Sequence, residues 1–242
     1  MKNNFRILIN SLPANVRIPL AKIYFSYLLK RGKLESLEIE FKMLNRWIKE
    51  GDICLDIGAN IGRYTIKMSK IVGNKGHVFS FEPMKESFNI LTHLCGVVNA
   101  TNITLINAAV GDNTELIEMH KEYLPKTSKS LIDTNTASYV SSNTQNLCTL
   151  CISIDSFEFP DKVSIVKIDV EGYEVHVLNG MKKLIRRDKP NFIVESNGNQ
   201  RNKPNCKSEN NSNNISDFFY KMGYSLLKME RKSRNEFYFY NG

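Results

Sequence analysis

Five short apolar runs recur along this chain and constrain its fold more than any other feature: residues 53–57 (ICLDI), 77–81 (HVFSF), 103–106 (ITLI), 163–168 (VSIVKI) and 191–194 (NFIV). Runs of this length, rich in Ile, Val and Phe, read as strands. Helix-period stretches follow several of them, at 63–72, 85–98 and 175–187, the first opened by Gly62 and closed by Gly73. Strand, glycine turn, helix and next strand make a βαβ unit. Its repetition predicts an α/β fold, a mostly parallel sheet with helices on both faces.

The flanking segments follow other patterns. Leu34, Leu37, Phe41, Leu44 and Ile48 recur at three- and four-residue intervals, which predicts an amphipathic helix ended near Gly51. Ahead of it, 18–29 (IPLAKIYFSYLL) is interrupted by Lys22 and is too short for the ~20 residues of a bilayer span. It is expected to pack on the main domain as a helix. With Arg17, Lys30, Arg31 and Lys33 around it, the segment 17–33 can also make peripheral contact with a membrane surface. Residues 1–50 are thus expected to form an N-terminal helical extension and 51–242 the main domain. Within that domain 109–154 breaks the alternation, because strand-like 116–120 and 147–154 flank a Ser/Thr/Asn-rich stretch at 127–145. An inserted β-hairpin with a long loop is expected there. The polar stretch 197–214 reads as flexible and 236–240 (EFYFY) as a final strand.

With 42% hydrophobic and 24% charged residues the chain has a globular composition, which excludes a disordered tail or a multi-pass membrane protein. Scattered cysteines and an N-terminus without an apolar leader point to the cytoplasm, at the inner membrane surface if 17–33 makes contact. Cys148 and Cys151 have ligand-like spacing, but on a strand they face opposite ways, so both read as structural and no metal site is expected. The formal charge is +8, an excess expected mainly on helices and the C-terminal tail, away from the strand ends.

Ligands of an open α/β sheet bind beyond the carboxyl ends of its strands. The residues closing the strands here are Asp56 and the turn Gly58-Ala59-Asn60-Ile61-Gly62, then Glu82-Pro83, then Asn107-Ala108, then Asp169-Val170-Glu171-Gly172. The glycine spacing G-x-x-x-G departs from the dinucleotide fingerprint, and no phosphate-cradling G-x-x-x-x-G-K-[ST] is present. Asp56 before the turn suits a cationic ligand better than a pyrophosphate. Glu82 stands where an acidic side chain can accept from both hydroxyls of a ribose. A riboside with positive charge and no phosphate describes S-adenosylmethionine.

LDIGANIGRYT (55–65), FEP (81–83), NAAVGD (107–112), SIDSF (153–157) and KIDVEGYEVHVLNG (167–180) together resemble the FkbM-type family of S-adenosylmethionine-dependent methyltransferases, of class I Rossmann-like fold. The resemblance covers about residues 36–196. It implies a seven-stranded sheet and S-adenosylmethionine as cofactor. It places the methionine part of that cofactor on Gly58, Ala59 and Asn60, with Asp56 and Gly62 framing the turn. Glu82 then meets the ribose, Asn107 and Ala108 the adenine, and Asp169 the cofactor amine or the acceptor hydroxyl. The implied reaction is methylation of a hydroxyl on a sugar, glycan or small natural product. Tyr173 departs from the pattern, standing where the family often has His.

An alcohol is a poor nucleophile, so a base helps to take its proton. Asp169, Glu171 or His176, or a bound cation, can serve; Asp169 and Glu171 make a plausible pair, two apart at a strand end and on one side if the chain stays extended. His176 reads as a packing or surface residue, and Lys167 as either a carboxylate's partner or a solvated strand end. Two other functions compete. The +8 charge suits an RNA-modifying methyltransferase, but the basic residues are dispersed and no aromatic RNA-binding motif interleaves them, so nucleic acid is not the expected partner. A cofactor-binding scaffold without turnover is the other.

Overall fold

The computed structural model describes residues 12–35, 38–121, 137–138, 146–196, 211–230 and 235–240. In chain order the elements are α1 (Ala14–Lys30), α2 (Ile39–Trp47), β1 (Ile53–Ile57), α3 (Arg63–Val72), β2 (His77–Phe81), α4 (Lys85–Val97), β3 (Ile103–Ile106), β4 (Ala109–Val110), β5 (Glu115–Lys121), β6 (Ala137–Ser138), β7 (Asn146–Ile152), β8 (Val163–Ile168), α5 (Glu174–Asn179), α6 (Lys182–Asp188), β9 (Asn191–Ser196), α7 (Asn211–Lys221), β10 (Ser225–Glu230) and β11 (Asn235–Tyr240). Seven strands form one sheet in the order β10-β11-β9-β8-β1-β2-β3. All neighbours pair in parallel except β11, which lies antiparallel between β9 and β10. The order reverses at β1, where β2 and β8 flank it. A crevice beyond the carboxyl ends of these strands follows from that reversal.

Period-two alternation divides the sheet faces. Ile53, Leu55 and Ile57 of β1 join Val166, Ile168, Phe192 and Phe239 in a core covered by α5, α6 and α7. Cys54 of β1 joins Val78, Ile165 and Ile193 on the other face, under α2 and α3. Trp47 stacks on Tyr238 with ring centroids 4.0 Å apart, so α2 is tied to the last strand. A third cluster seats Ala21 and Phe25 of α1 with Ile90, Leu91 and Leu94 of α4, and it includes Ala59 and Ile61 of the turn after β1. Arg17 pairs with Glu86 in the first turn of α4, and Ser26 bonds His93 further along it. Helices α1 and α4 therefore run side by side in the same direction, with the start of α1 at the carboxyl end of the sheet.

The strands expected from the five apolar runs are present. Two helices differ from expectation. The stretch 175–187 is two helices, broken around Gly180. A Cβ on Gly180 would lie 1.9 Å from the Gly111 carbonyl oxygen, and the Gly180 carbonyl accepts from Asp155 N (2.8 Å) and Ser153 Oγ (2.9 Å). That close approach and those bonds fix the break. The helix expected from Leu34 starts only at Ile39, and Leu34 is buried in the coil before it. The expected flexible stretch also needs correction: 197–210 lie outside the described residues, but 211–214 open helix α7.

The insert after β3 is a second sheet of order β4-β7-β5-β6, with the expected antiparallel hairpin, β5 with β7, at its centre. Most of the 127–145 loop lies outside the described residues, and β6 within it pairs with the end of β5. Cys151 is buried and Cys148 exposed on β7, as opposite faces require. Among the described residues the crossover from β3 to β8 carries no α-helix. Val110, Ile154, Phe157 and Phe159 cover that face of the sheet in its place.

Candidate active site

The β1 turn is held against its neighbours by main-chain bonds. Gly58 N and Ala59 N both donate to the Phe81 carbonyl (2.9 and 3.0 Å), Gly62 N to the Ala59 carbonyl (2.9 Å), and Asp169 N to the Ile57 carbonyl (3.0 Å). The ends of β1, β2 and β8 are thereby drawn together. Gly58 has φ +79, and a Cβ there would lie 1.8 Å from the Asp169 carbonyl oxygen. Only glycine allows this approach. Gly62 has φ +89 and directly precedes α3.

Glu82 is 5% exposed, and its carboxylate accepts from two backbone amides, Asn60 N at Oε2 and Met84 N at Oε1, both 2.8 Å. One of these bonds comes from the β1 loop and the other from the β2 loop, so the carboxylate is fixed in place. Burial pushes its pKa up to about 7, against the lowering influence of the two amides and Lys167, while Asp169 adds to the rise. Each oxygen keeps a second acceptor lone pair, which is what the two hydroxyls of a ribose require. Asn107 Nδ2 donates to the carbonyls of Glu82 (2.7 Å) and Pro83 (3.2 Å), and Ala108 is buried. Asn107 thus braces the Glu82 loop from the end of β3.

Asp56 lies beneath the turn. It is fully buried, accepts from Thr65 Oγ1 at 2.6 Å and faces the Lys167 ammonium at 3.5 Å. Any influence on a ligand passes through that ammonium. Lys167, 5% exposed, stands directly across from Asp56 in the β1–β8 register. Its Nζ also reaches Asp169 Oδ2 and the Gly58 carbonyl, both at 3.3 Å, and lies 4.8 Å from the centre of the Tyr64 ring. Burial alone would lower the Lys167 pKa, but Asp169, Asp56 and Glu195 together hold it above the ordinary lysine value. The strand-end lysine is therefore the buried centre of a charged set, and Asp169 is its partly exposed member.

The one-sided pairing expected of Asp169 and Glu171 does not hold, because β8 ends at Ile168 and Glu171 takes φ 54 in a left-handed turn. His176 is more organised than its sequence context suggests. Its Nδ1 lies 2.7 Å from Asp112 Oδ2, and the Tyr173 ring stacks on it at 4.1 Å. Asp112 follows β4 and His176 stands in the first turn of α5, so this pair links the insert to the β8 end of the crevice. The motifs NAAVGD and VEGYEVH each supply one half of it. No spacing rule joins them, since they stand 64 positions apart.

The family model of the FkbM methyltransferase domain matches residues 56–226. The chain belongs to the FkbM methyltransferase family. The cofactor of this family is S-adenosylmethionine, and the residues at the strand ends fit it: a buried carboxylate at Glu82 fixed by two amides, an acidic strand end at Asp169, and no phosphate-cradling motif in the sequence. The hexuronic acid methyltransferase AglP of Haloferax volcanii is 29% identical over 156 residues, 63% of this chain and 59% of that protein. The FkbM methyltransferase of Methylobacillus flagellatus KT shares the fold at 16% identity and a TM-score of 0.55, over 99% of this chain and 58% of that one. A Streptococcus mutans protein solved in complex with S-adenosylhomocysteine shares it too, at 9% identity and a TM-score of 0.51, over 82% and 93% of the two chains. The chain thus spans under two thirds of the length of AglP and of the Methylobacillus protein.

Proposed function

We propose that this FkbM-family protein methylates a hydroxyl oxygen of a sugar or sugar acid. The observation that carries the cofactor half of this reading is Glu82, a carboxylate fixed by two backbone amides at the end of β2 with a lone pair left on each oxygen. The acceptor half is supported by the likeness to a hexuronic acid methyltransferase.

When bound, S-adenosylmethionine supplies an already activated methyl group, so what remains for the chain is alignment, exclusion of water and removal of one proton. In this reading Glu82 accepts from the ribose hydroxyls, and Gly58, Ala59 and Asn60 line the methionine part. Asn107 and Ala108 edge the adenine side, and Asp169, anchored by Lys167, faces the cofactor's cationic end. The acceptor oxygen would take the methyl group with S-adenosylhomocysteine as the leaving group, and the chain's part is to receive the hydroxyl proton on a base. Of the three side chains that the sequence offers, Asp169, Glu171 and His176, the histidine has the better organised geometry. With Nδ1–H donating to Asp112, its Nε2 carries the lone pair that takes the proton.

The test is transfer from methyl-labelled S-adenosylmethionine to a panel of hexuronates, neutral hexoses and RNA. Label is expected in an ether-linked methyl on a sugar or sugar acid. Label in RNA alone, or in nothing, rejects the reading. His176→Asn is expected to lower kcat about a hundredfold, the lower end of general-base effects, and to leave cofactor affinity unchanged. An unchanged kcat would return the role to Asp169 or Glu171.

A further inference from the structure

The +8 charge gathers at one end of the chain and not on the C-terminal tail. Residues 1–34 contain seven basic residues and no acidic one, so +7 of the +8 lies there and the remaining chain is close to neutral. Helix α1 carries much of this segment. One of its faces, with Ala21 and Phe25, is buried against α4. The other exposes Val16, Leu20, Ile23 and Tyr27, of which Ile23 is 68% exposed. Spacings of four, three and four residues place these on one side of the helix. At the end of this stripe stand Lys30, Arg31 and Lys33, all exposed, and the Arg31 guanidinium lies 5.6 Å from the centre of the Tyr27 ring. Among the described residues no helix is long and apolar enough to cross a membrane.

We propose that α1 docks the protein on an anionic lipid surface, its Val16–Leu20–Ile23–Tyr27 stripe inserted at the headgroup boundary and its basic residues on the lipid phosphates. An exposed apolar stripe bordered by cations and free of acids has the chemistry of an in-plane membrane helix. A second copy of the chain is the poorer occupant, because a symmetric pairing of two such stripes would bring two acid-free basic segments together. Since α1 begins beside the first turn of α4, docking holds the carboxyl-end crevice near the lipid.

Flotation of the full chain with vesicles tests this. Partition onto vesicles with about 30 mol% phosphatidylglycerol is expected to exceed that onto pure phosphatidylcholine by about tenfold or more, and to fall in about 0.5 M NaCl. The double variant Ile23→Glu/Tyr27→Glu, at positions exposed to solvent, is expected to keep the wild-type melting temperature and lose the partition. Equal binding to both vesicles, no binding, or undiminished binding by the variant overturns the proposal. A dimer in sedimentation velocity that the same variant disperses, without vesicle binding, assigns the stripe to a second copy instead. Neither cofactor nor acceptor enters this measurement, so its outcome is independent of the methyl-transfer reading.

Discussion

Glu82→Gln is expected to weaken S-adenosylmethionine binding about a hundredfold at pH 8, because hydrogen bonds to a charged acceptor contribute roughly 1.5–3 kcal/mol each and an amide offers one acceptor where the carboxylate offers two. Isothermal titration measures this directly. The pH dependence separates a binding role from a packing role. With a pKa near 7 in the folded protein, wild-type affinity should strengthen as pH rises through 7, whereas the glutamine variant should show a flat profile. Stability moves the opposite way. A carboxyl raised from 4.5 to about 7 stabilises the fold most below 4.5 and loses that contribution as pH rises through 7. Relative to Glu82→Gln, the wild type should lose about 3 kcal/mol between pH 4.5 and 8, since each pH unit separating the unfolded and folded pKa values corresponds to about 1.36 kcal/mol. The glutamine also leaves one backbone amide facing an NH2 group, but that cost is constant with pH and drops out of the comparison. Denaturant midpoints across the range report it. An unchanged cofactor affinity would remove Glu82 from the ribose site.

Lys167→Met is expected to destabilise the protein by about 3–5 kcal/mol, the usual cost of removing one partner from a buried charge set. Methionine fills a similar volume, so the loss is electrostatic rather than a cavity. Asp56 would be left fully buried with only the Thr65 hydroxyl opposite it. Adding Asp56→Asn should recover a substantial part of the loss, since asparagine can still accept from Thr65 and carries no charge. Lys167 has a folded pKa above its ordinary 10.5, so its contribution is fully present below 10.5 and fades only as pH rises through the folded value. Because Lys167 also holds the Glu82 pKa down, the gap between wild type and variant should widen as pH rises through 7. A variant as stable as the wild type would show that the two carboxylates do not depend on this ammonium. Cofactor affinity should fall too, because Lys167 anchors both Asp169 and the Gly58 carbonyl.

The difference between what is legible in the residues and what is not follows from the range of the interactions. Strands 53–57 and 163–168 are readable with their ends, because burial on both faces leaves a mostly apolar run bounded by turn residues, and 77–81 and 103–106 are short runs of strand-forming residues bounded in the same way. Glu82 is readable because it closes such a run. Lys167 is ambiguous because its partner Asp56 is set by the register of two strands 111 residues apart, and parallel register leaves no local signal. The break around Gly180 comes from a single main-chain approach to Gly111, and the His176–Asp112 pair from the way the insert lies over α5. The same-side argument for Asp169 and Glu171 fails for a local reason: Glu171 adopts a left-handed conformation, uncommon for a residue other than glycine. Strand β10 escapes the pattern altogether, since its residues (SLLKME) mix apolar and charged types without clean alternation.

The position of β11 carries a consequence for how the molecule is made. Strand β9 ends at Ser196, yet the strand that hydrogen-bonds its outer side begins only at Asn235, and β10 then lies beyond that one. During synthesis, at roughly 5–20 residues per second, the nascent chain holds an apolar strand with one side unpaired for seconds before its neighbour emerges. An open edge of this kind is a template for pairing with other chains. The seven-stranded sheet therefore cannot close during synthesis of its early βαβ units. Its last step is insertion of an antiparallel strand between two others, and that step should be the one most exposed to misassembly and most dependent on chaperone cover.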